Sequence, residues 1–102
     1  MISVTIPNNV TSIDNNAFNG CDGFINIIIP NSVTNIGNSA FYGCDGLTGV
    51  TIKATTPPTL GQTAFDNTNN CPIYVPAESV NAYKAANGWT TYSSRIQAIP
   101  TA

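Results

Sequence analysis

The chain has 102 residues, of which 42% are hydrophobic and only 8% are charged, with a formal net charge of -2 and no histidine. This is the length of one domain, and three basic residues are too few to neutralise the phosphates of a nucleic acid. No apolar run approaches the roughly 20 residues that span a bilayer, so we expect no membrane insertion, and no signal peptide pattern opens the chain.

Residues 2–24 and 25–47 are near copies of each other. Aligned without a gap, they are identical at 14 of 23 positions, and the Ala-Phe pair that ends at Phe18 recurs at Phe41. A tandem period of this length is typical of leucine-rich repeats, in which each repeat forms one coil of a solenoid.

The first copy predicts the elements of one such coil. Apolar and polar residues alternate from Val4 to Ile6, which predicts a short strand, and Pro7 ends the strand because proline lacks the amide donor. Val10 to Ile13 predict a second extended piece. Asn15 to Phe18 predict a single helical turn with an Asn cap, ended by Gly20.

The third copy, residues 48–76, diverges from the first two. Gly49 to Ile52 predict its strand, but Lys53 replaces the proline of the earlier copies and Pro57-Pro58 lie in a longer loop. Ile73 to Val75, again followed by a proline, predict a fourth strand. The third coil is therefore expected to be less regular than the first two.

The repeat pattern stops at Pro76. Ala77 to Ala86 predict a helix, because Pro76 lies just ahead of them and Asn87-Gly88 just after. An uncovered end of a solenoid exposes its apolar core to water. We therefore interpret residues 77–102 as a C-terminal cap on repeats that comprise residues 1–76, the two forming one structural unit.

These elements predict a leucine-rich-repeat solenoid of the α/β class. Equivalent strands would pair in parallel at about 4.8 Å, the connections would be right-handed, and about three coils of 23 residues would end at a capping helix. Equivalent apolar residues would then stack in three columns: Val4, Ile27 and Val50; Ile6, Ile29 and Ile52; and Phe18, Phe41 and Phe65.

The repeat V-T-I-P-x-x-V-T-x-I-x-x-x-A-F-x-G-C-x-G-L resembles the BspA-like leucine-rich repeat family. The segment I-Y-V-P-x-x-S-V-x-A-Y-K-A-A-x-G-W, residues 73–89, also resembles the tail of such domains in bacterial surface proteins. The resemblance covers residues 2–99. It implies an extracellular or cell-surface location and a role similar to that of adhesins, some of which bind host matrix proteins or other bacteria. It assigns no functional residue, because the motif residues are those of the core.

Three cysteines, Cys21, Cys44 and Cys71, are the first candidates for chemistry. Cys21 and Cys44 would stack at about 4.8 Å, within the Cα spacing of a disulfide, but parallel side chains aimed into a core are poorly oriented to join. A metal site would need closely spaced cysteine pairs or histidines, and a catalytic thiol would need a base. We interpret the cysteines as small buried hydrophobic residues and predict no cofactor.

Asp22 and Asp45 would also stack, each in a Cys-Asp-Gly turn. Two carboxylates at this spacing could share a calcium ion, but calcium takes six to eight oxygen ligands and only amides and backbone carbonyls are available to complete the set. The alternative is that both are turn residues that bind their own backbone, and we favour that interpretation.

The outward positions of the strands are the candidate ligand-binding residues. They are Ser3, Thr5, Asn26, Ile28, Thr51 and Tyr74, with Gly49 lying between them. If the columns form, these residues lie side by side on one sheet face, the kind of face that solenoids use for binding. Hydroxyl and amide groups with one Ile and one Tyr suit a protein or a glycan. The alternative is a solvated sheet in which threonine is favoured by its β-propensity.

Two functions fit this sequence. The first is a non-catalytic extracellular module that binds a host matrix protein or a glycan at a bacterial cell surface. The second is a structural spacer and cap that ends a longer solenoid and has no ligand of its own. We expect no enzyme activity, because the chain lacks histidine, a pair of general bases and a nucleotide-binding loop.

The first coil has an edge that this sequence leaves uncovered. The chain opens inside a repeat, so we expect it to be a piece of a longer protein whose upstream repeats cover Val4 and Ile6. An exposed strand edge is otherwise a pairing hazard. We predict end-to-end self-association through residues 2–24, or fraying there.

Overall fold

The computed structural model describes residues 2–20, 23–68 and 71–99. Within these ranges the strands are β1 (Ile2–Thr5), β2 (Ser12–Ile13), β3 (Phe24–Ile29), β4 (Asn35–Ile36), β5 (Gly49–Ile52), β6 (Thr59–Leu60), β7 (Ile73–Val75) and β8 (Ile96–Ala98). Helical structure in these ranges is confined to the C-terminal part: a 3₁₀ turn at Ala77–Ser79, the α-helix α1 (Val80–Ala85) and a 3₁₀ helix at Trp89–Arg95.

The strands form two parallel sheets. The larger sheet has the order β1-β3-β5-β7-β8 and the smaller one the order β2-β4-β6. Strands at the same position of successive repeats are neighbours, so Val4 pairs with Ile27 and Ile27 with Val50. This confirms the predicted pairing. Parallel sheets with few helices are consistent with an α/β repeat fold.

The core consists of columns of equivalent side chains. In the large sheet Ile29 pairs with Ile52, and both are fully buried. The rings of Phe18, Phe41 and Phe65 stack with centroids 5.2 Å apart at each step and interplanar angles of 5° and 4°. These residues lie in turns that are joined by backbone hydrogen bonds from one repeat to the next, so identical residues meet face to face. The predicted aromatic column is confirmed.

The turn that follows each strand of the small sheet is not the predicted single helical turn. Asn16, Ser39 and Thr63 have φ angles of 60°, 55° and 58°, in the left-handed region that interrupts a right-handed helix. Residues 15–20 and 38–43 form hydrogen-bonded turns instead.

The asparagine that was expected to cap this turn binds the neighbouring repeat. Asn15 Oδ1 accepts a hydrogen bond from the Asn38 amide, and Asn38 Oδ1 accepts one from the Gln62 amide, both at 2.8 Å. Neighbouring backbones approach so closely here that a Cβ on Gly37 or Gly61 would lie 2.5 Å or 2.3 Å from a backbone nitrogen. The predicted Asn cap is therefore wrong: these Asn side chains do not cap a helical turn but form a ladder of hydrogen bonds from each repeat to the next.

The C-terminal segment is less regular than the predicted helix from Ala77 to Ala86. A 3₁₀ turn leads into α1, and Gly88, three residues after α1, has a φ of 83° in the left-handed region that favours glycine. A second 3₁₀ helix then leads into β8, which pairs in parallel with β7. The sequence prediction did not include β8, which adds Ile96–Ala98 as a fifth strand of the large sheet.

Candidate functional site

The predicted ligand-binding residues lie in two adjacent columns across the large sheet. Backbone register aligns Ser3 with Asn26 and Gly49, and aligns Thr5 with Ile28, Thr51, Tyr74 and Gln97. We call this surface the outer sheet face. The side chain of Ser3 lies outside the described part of the structure. Gln97 belongs to the same column but was not predicted, because β8 was not.

Exposure on this face follows the alternation expected of a strand. Thr5, Asn26 and Gln97 are exposed, whereas Ile28, Thr51 and Tyr74 are half-buried. The residues between them point into the core. The outer sheet face therefore presents hydroxyl and amide groups around a half-buried apolar centre.

The Tyr74 ring lies across the sheet next to Gly49. A Cβ placed on Gly49 would lie 3.4 Å from Tyr74 Cε2 and 3.3 Å from Asn26 Oδ1. Gly49 is buried although its strand position faces outward. A side chain at residue 49 would contact the edge of the ring, and its absence leaves the Tyr74 ring as an aromatic surface on this face of the sheet.

The outer sheet face carries no charged residue in its described columns, which contain only Thr, Asn, Gln, Ile, Gly and Tyr. Among the residues that the structure describes, no three His, Cys, Asp or Glu side chains lie close enough together to hold a metal ion. A flat, neutral face with one aromatic ring can bury apolar area and form a few hydrogen bonds with a partner.

The cysteines that are described are buried, as predicted. The Cys44 thiol donates a hydrogen bond to the carbonyl of Phe18 at 3.0 Å. The Cys71 sulfur lies 3.5 Å from an Arg95 nitrogen that donates to it. Cys21 lies outside the described residues, so its relation to Cys44 stays a prediction.

The predicted pair of aspartates is described only in part. Asp45 is exposed in the turn before Leu47. Asp22 lies outside the described residues. The choice between turn residues and a shared calcium ion therefore stays a prediction.

The end of the aromatic column is completed by two residues from the C-terminal segment. Trp89 lies 5.9 Å from Phe65 between ring centroids, and Tyr92 meets the same ring edge-on at 5.8 Å. The amides of Phe18 and Phe41 donate to carbonyls of the next repeat, but the amide of Phe65 donates to the Tyr92 hydroxyl at 3.2 Å. Tyr92 thus supplies the acceptor that a further repeat would supply.

Trp89 replaces a backbone donor in the same manner. Between the second and third repeats, the Thr59 amide donates to the carbonyl of Thr34 at 3.0 Å. At the equivalent carbonyl, that of Pro58, the donor is the indole Nε1 of Trp89 at 2.8 Å. Trp89 is fully buried, so this hydrogen bond satisfies a carbonyl that water cannot reach.

Two hydroxyls of the segment bind the loop after β5. The Tyr83 hydroxyl donates to the carbonyl of Ala54 and the Ser79 hydroxyl to that of Thr55, both at 2.7 Å. Burial raises the pKa of Tyr83 well above its usual value, which keeps its hydroxyl protonated as a donor.

Arg95 binds the turn that follows Phe65. Its guanidinium donates to the carbonyls of Cys71 at 2.8 Å and Phe65 at 3.3 Å, and to the Thr68 hydroxyl at 2.6 Å. Its central carbon lies 5.4 Å from the centre of the Tyr92 ring. No buried side-chain polar atom in the described ranges is left without a hydrogen-bond partner. The sequence predicted a cap at residues 77–102, but neither these hydrogen bonds nor the role of Arg95 followed from its pattern.

Comparison with known families gives a match over most of the chain. The family model described as "BspA type leucine rich repeat region (6 copies)" matches residues 1–88. The chain belongs to this family. No protein of curated function matches the BspA-type chain. In the described part of the BspA-type chain, every helix is too short or too polar to cross a membrane.

Membership of this family identifies the BspA-type chain as a repeat module and confirms the resemblance noted in the sequence. The match ends at Gly88, directly before Trp89. The residues that complete the hydrogen bonds of the third repeat therefore fall on both sides of that boundary, with Tyr83 inside the matched range and Trp89, Tyr92 and Arg95 beyond it.

Proposed function

We propose that this chain is a non-catalytic recognition module of a bacterial cell-surface adhesin and that it binds a host protein through the outer sheet face. Family membership supports a repeat module of this kind. The observation that carries the proposal is the Tyr74 ring, which lies over Gly49 beside Asn26 on an uncharged sheet face.

The architecture that we propose for the module is a right-handed solenoid. Its coils correspond to residues 2–24, 25–47 and 48–76, and residues 77–102 form the cap. The parallel register, which links residues 23 or 24 positions apart, supports this arrangement. An extracellular location belongs to the same proposal.

A protein surface suits the outer sheet face better than a small molecule does. Interface centres are poor in charged residues and rich in aromatic ones, and a few aromatic residues contribute most of the binding free energy. Tyr74 and Ile28 supply such a centre, and Thr5, Asn26 and Gln97 supply an exposed polar rim. A neutral glycan is the second ligand class that this face suits.

The test is binding of the whole chain to a panel of purified host matrix proteins, measured by surface plasmon resonance. We expect saturable binding to at least one of them. A variant with Tyr74→Ala and Ile28→Ala should bind about thirtyfold more weakly or worse, since losing one hot-spot residue costs about 2 kcal/mol.

A matched control is Thr59→Ala, an exposed position of the small sheet. This variant should bind as the unaltered chain does, and thermal melts should show that all variants are folded. Equal affinity of the double variant and the unaltered chain, or no saturable binding to any protein of the panel, would contradict the proposal.

A structural role as spacer and cap is the alternative that a specific observation favours. Trp89, Tyr92 and Arg95 provide the third repeat with the partners that a following repeat would provide. Under this alternative the chain ends an array and has no ligand of its own. A fusion with upstream repeats that binds a matrix protein, while the chain alone does not, would favour it.

Upstream repeats of the same family are the natural neighbours of the first repeat. A pocket of about 340 Å³ lies on the side of the first repeat that faces away from the second. It is lined mainly by apolar residues, among them Val4, Ile6, Ile13 and Phe18. We propose that either a further repeat or a second copy of the chain covers this side in solution.

A further inference from the structure

A groove of about 570 Å³ lies between the turn after Phe65 and the 3₁₀ helix Trp89–Arg95. Its polar lining includes Asp66, Asn67, Thr91 and Ser94. Small-molecule sites typically enclose about 300–1,000 Å³. The groove therefore has the size of a small-molecule site, and it shares no lining residue with the outer sheet face.

Tyr42 lines the groove from the second repeat. Among the described residues it is the one large hydrophobic side chain that is exposed, at 36%. The equivalent positions of the neighbouring repeats carry Asn19 and Asp66, so the core does not require an aromatic residue here. An exposed ring beside polar groups offers a flat apolar surface at the wall of the groove.

Asp66 is held in place at the same wall. Its Oδ1 accepts a hydrogen bond from the Tyr92 hydroxyl at 2.7 Å. Burial, with the hydrogen bond to Asp66, raises the pKa of Tyr92 to about 12, so the hydroxyl stays a donor at neutral pH. The other carboxylate oxygen of Asp66, Oδ2, has no hydrogen-bond partner in the described part of the chain. It is therefore an oriented acceptor for a ligand.

The groove offers anions little attraction. The Arg95 guanidinium at its edge is engaged by the carbonyls of Cys71 and Phe65 and by the Thr68 hydroxyl. Asp66 adds a negative charge that offsets the positive charge of Arg95, so the groove has no net charge to attract phosphate or carboxylate groups. The groups available to a ligand include one carboxylate oxygen, one exposed ring and the side chains of Asn67, Thr91 and Ser94 at the rim.

We propose that this groove binds a neutral saccharide. The apolar C–H face of a pyranose ring stacks on Tyr42, and a sugar hydroxyl donates to Asp66 Oδ2. Further sugar hydroxyls exchange hydrogen bonds with Asn67, Thr91 and Ser94. Such a ligand packs against the apolar wall of the groove and forms hydrogen bonds with its polar wall, the combination that is typical of small-molecule sites. Saccharide binding here does not depend on protein binding at the outer sheet face.

The experiment is an amide NMR titration of the whole chain with cellotriose and with the trimer of N-acetylglucosamine. We expect saturable shifts, at millimolar ligand, confined to residues 42, 66–67 and 91–95 for at least one of the two. Tyr42→Ala and Asp66→Asn should each weaken binding about tenfold, the cost of one lost contact to a charged or aromatic group.

Two control variants separate ligand contact from damage to the fold. Tyr42→Phe keeps the ring and should retain affinity within about twofold, as should Lys84→Ala on the exposed side of α1. If Asp66→Asn disturbs the fold through Tyr92, Tyr42→Ala still decides the outcome, because Tyr42 is exposed.

Sialyllactose and a lysine tetrapeptide are the competing probes. The groove should discriminate against sialyllactose, which carries a carboxylate. Shifts in the groove with the lysine tetrapeptide alone would overturn the proposal in favour of a cationic peptide. Absence of groove shifts with both neutral sugars, or sugar-induced shifts confined to the outer sheet face, would also overturn it.

Discussion

Gly37 and Gly61 show at the scale of single residues how closely neighbouring repeats approach. A Cβ on Gly37 would lie 2.5 Å from both the backbone nitrogen and the Oδ1 of Asn15. That oxygen already accepts the hydrogen bond from the Asn38 amide. The ladder of Asn side chains and the missing side chain at residue 37 therefore form one arrangement.

Gly37→Ala should lower the free energy of unfolding by roughly 1–3 kcal/mol, the usual cost of forcing atoms into a packed region. The matched control is Gly23→Ala, where an added Cβ would have no neighbour within 4 Å. Urea denaturation followed by circular dichroism measures both. Equal stability of the two variants would show that the repeats do not approach as closely as described.

Two buried tyrosines predict a loss of stability in alkali. Burial raises the pKa of Tyr92 to about 12 and that of Tyr83 still further, whereas an unfolded tyrosine titrates near 10. The folded state therefore holds these protons more tightly than the unfolded chain does. Their contribution to stability is complete below about pH 10 and is lost as the pH rises through 12.

Melting temperatures measured across this pH range test the alkaline effect. We expect a steeper fall above about pH 10 for the unaltered chain than for Tyr92→Phe. Tyr42→Phe, which alters an exposed tyrosine, should behave as the unaltered chain does. A melting temperature that stays constant to about pH 12 would contradict burial of both hydroxyls.

At the scale of elements, the C-terminal segment stabilises the third repeat through the side chains that it packs against it. Trp89→Phe removes the indole donor from the Pro58 carbonyl. A buried acceptor left without a partner costs about 1–3 kcal/mol, so this variant should lose at least that much free energy of unfolding. Thr90→Ala, next to it and exposed, should lose little. Denaturant titration that finds the two variants equally stable would refute this role of Trp89.

The elements that could be predicted from the sequence are those that the repeat displays more than once. Apolar residues two positions apart, followed by a proline, recur at Ile6 and at Ile29, so the strands and their parallel pairing followed from the pattern. β8 has no such signal, because Ile96-Gln97-Ala98 is short and follows a 3₁₀ helix instead of the repeat turn.

Other features of the fold could not be predicted, because the residues that form them are compatible with more than one local structure. An Asn at residue 15 fits a helix cap as well as a ladder, and the positive φ of Asn16 decides between them. The positions on the outer sheet face followed from the alternation, but the contact of Tyr74 with Gly49 depends on how the ring lies across the sheet. The hydrogen bonds of Arg95 depend likewise on the packed third repeat.

At the scale of the whole molecule, the two ends of the repeat stack differ. Trp89 and Tyr92 cover the last repeat, while the first repeat presents an apolar concave surface that includes Ile13 and Phe18. Open strand edges pair with other chains. An isolated chain should therefore associate through its first repeat and not through its C-terminal end.

Light scattering coupled to gel filtration tests this asymmetry. We expect the unaltered chain to form a dimer whose fraction increases with protein concentration. Val4→Lys should be a monomer, because a lysine at the edge opposes pairing. Glu78→Lys, at an exposed position of the C-terminal segment, should leave the dimer intact. A strict monomer with slow amide exchange at Val4 and Ile6 would count against association and against fraying.

The stacking of equivalent residues is tested most directly by the aromatic region of a NOESY spectrum of the whole chain. Cross-peaks should link Phe18 to Phe41 and Phe41 to Phe65, whose ring centroids are 5.2 Å apart, and should continue from Phe65 to Trp89. No cross-peak should link Phe18 to Phe65 directly. Absence of the sequential cross-peaks, or a direct one between the first and third rings, would contradict the column on which the fold depends.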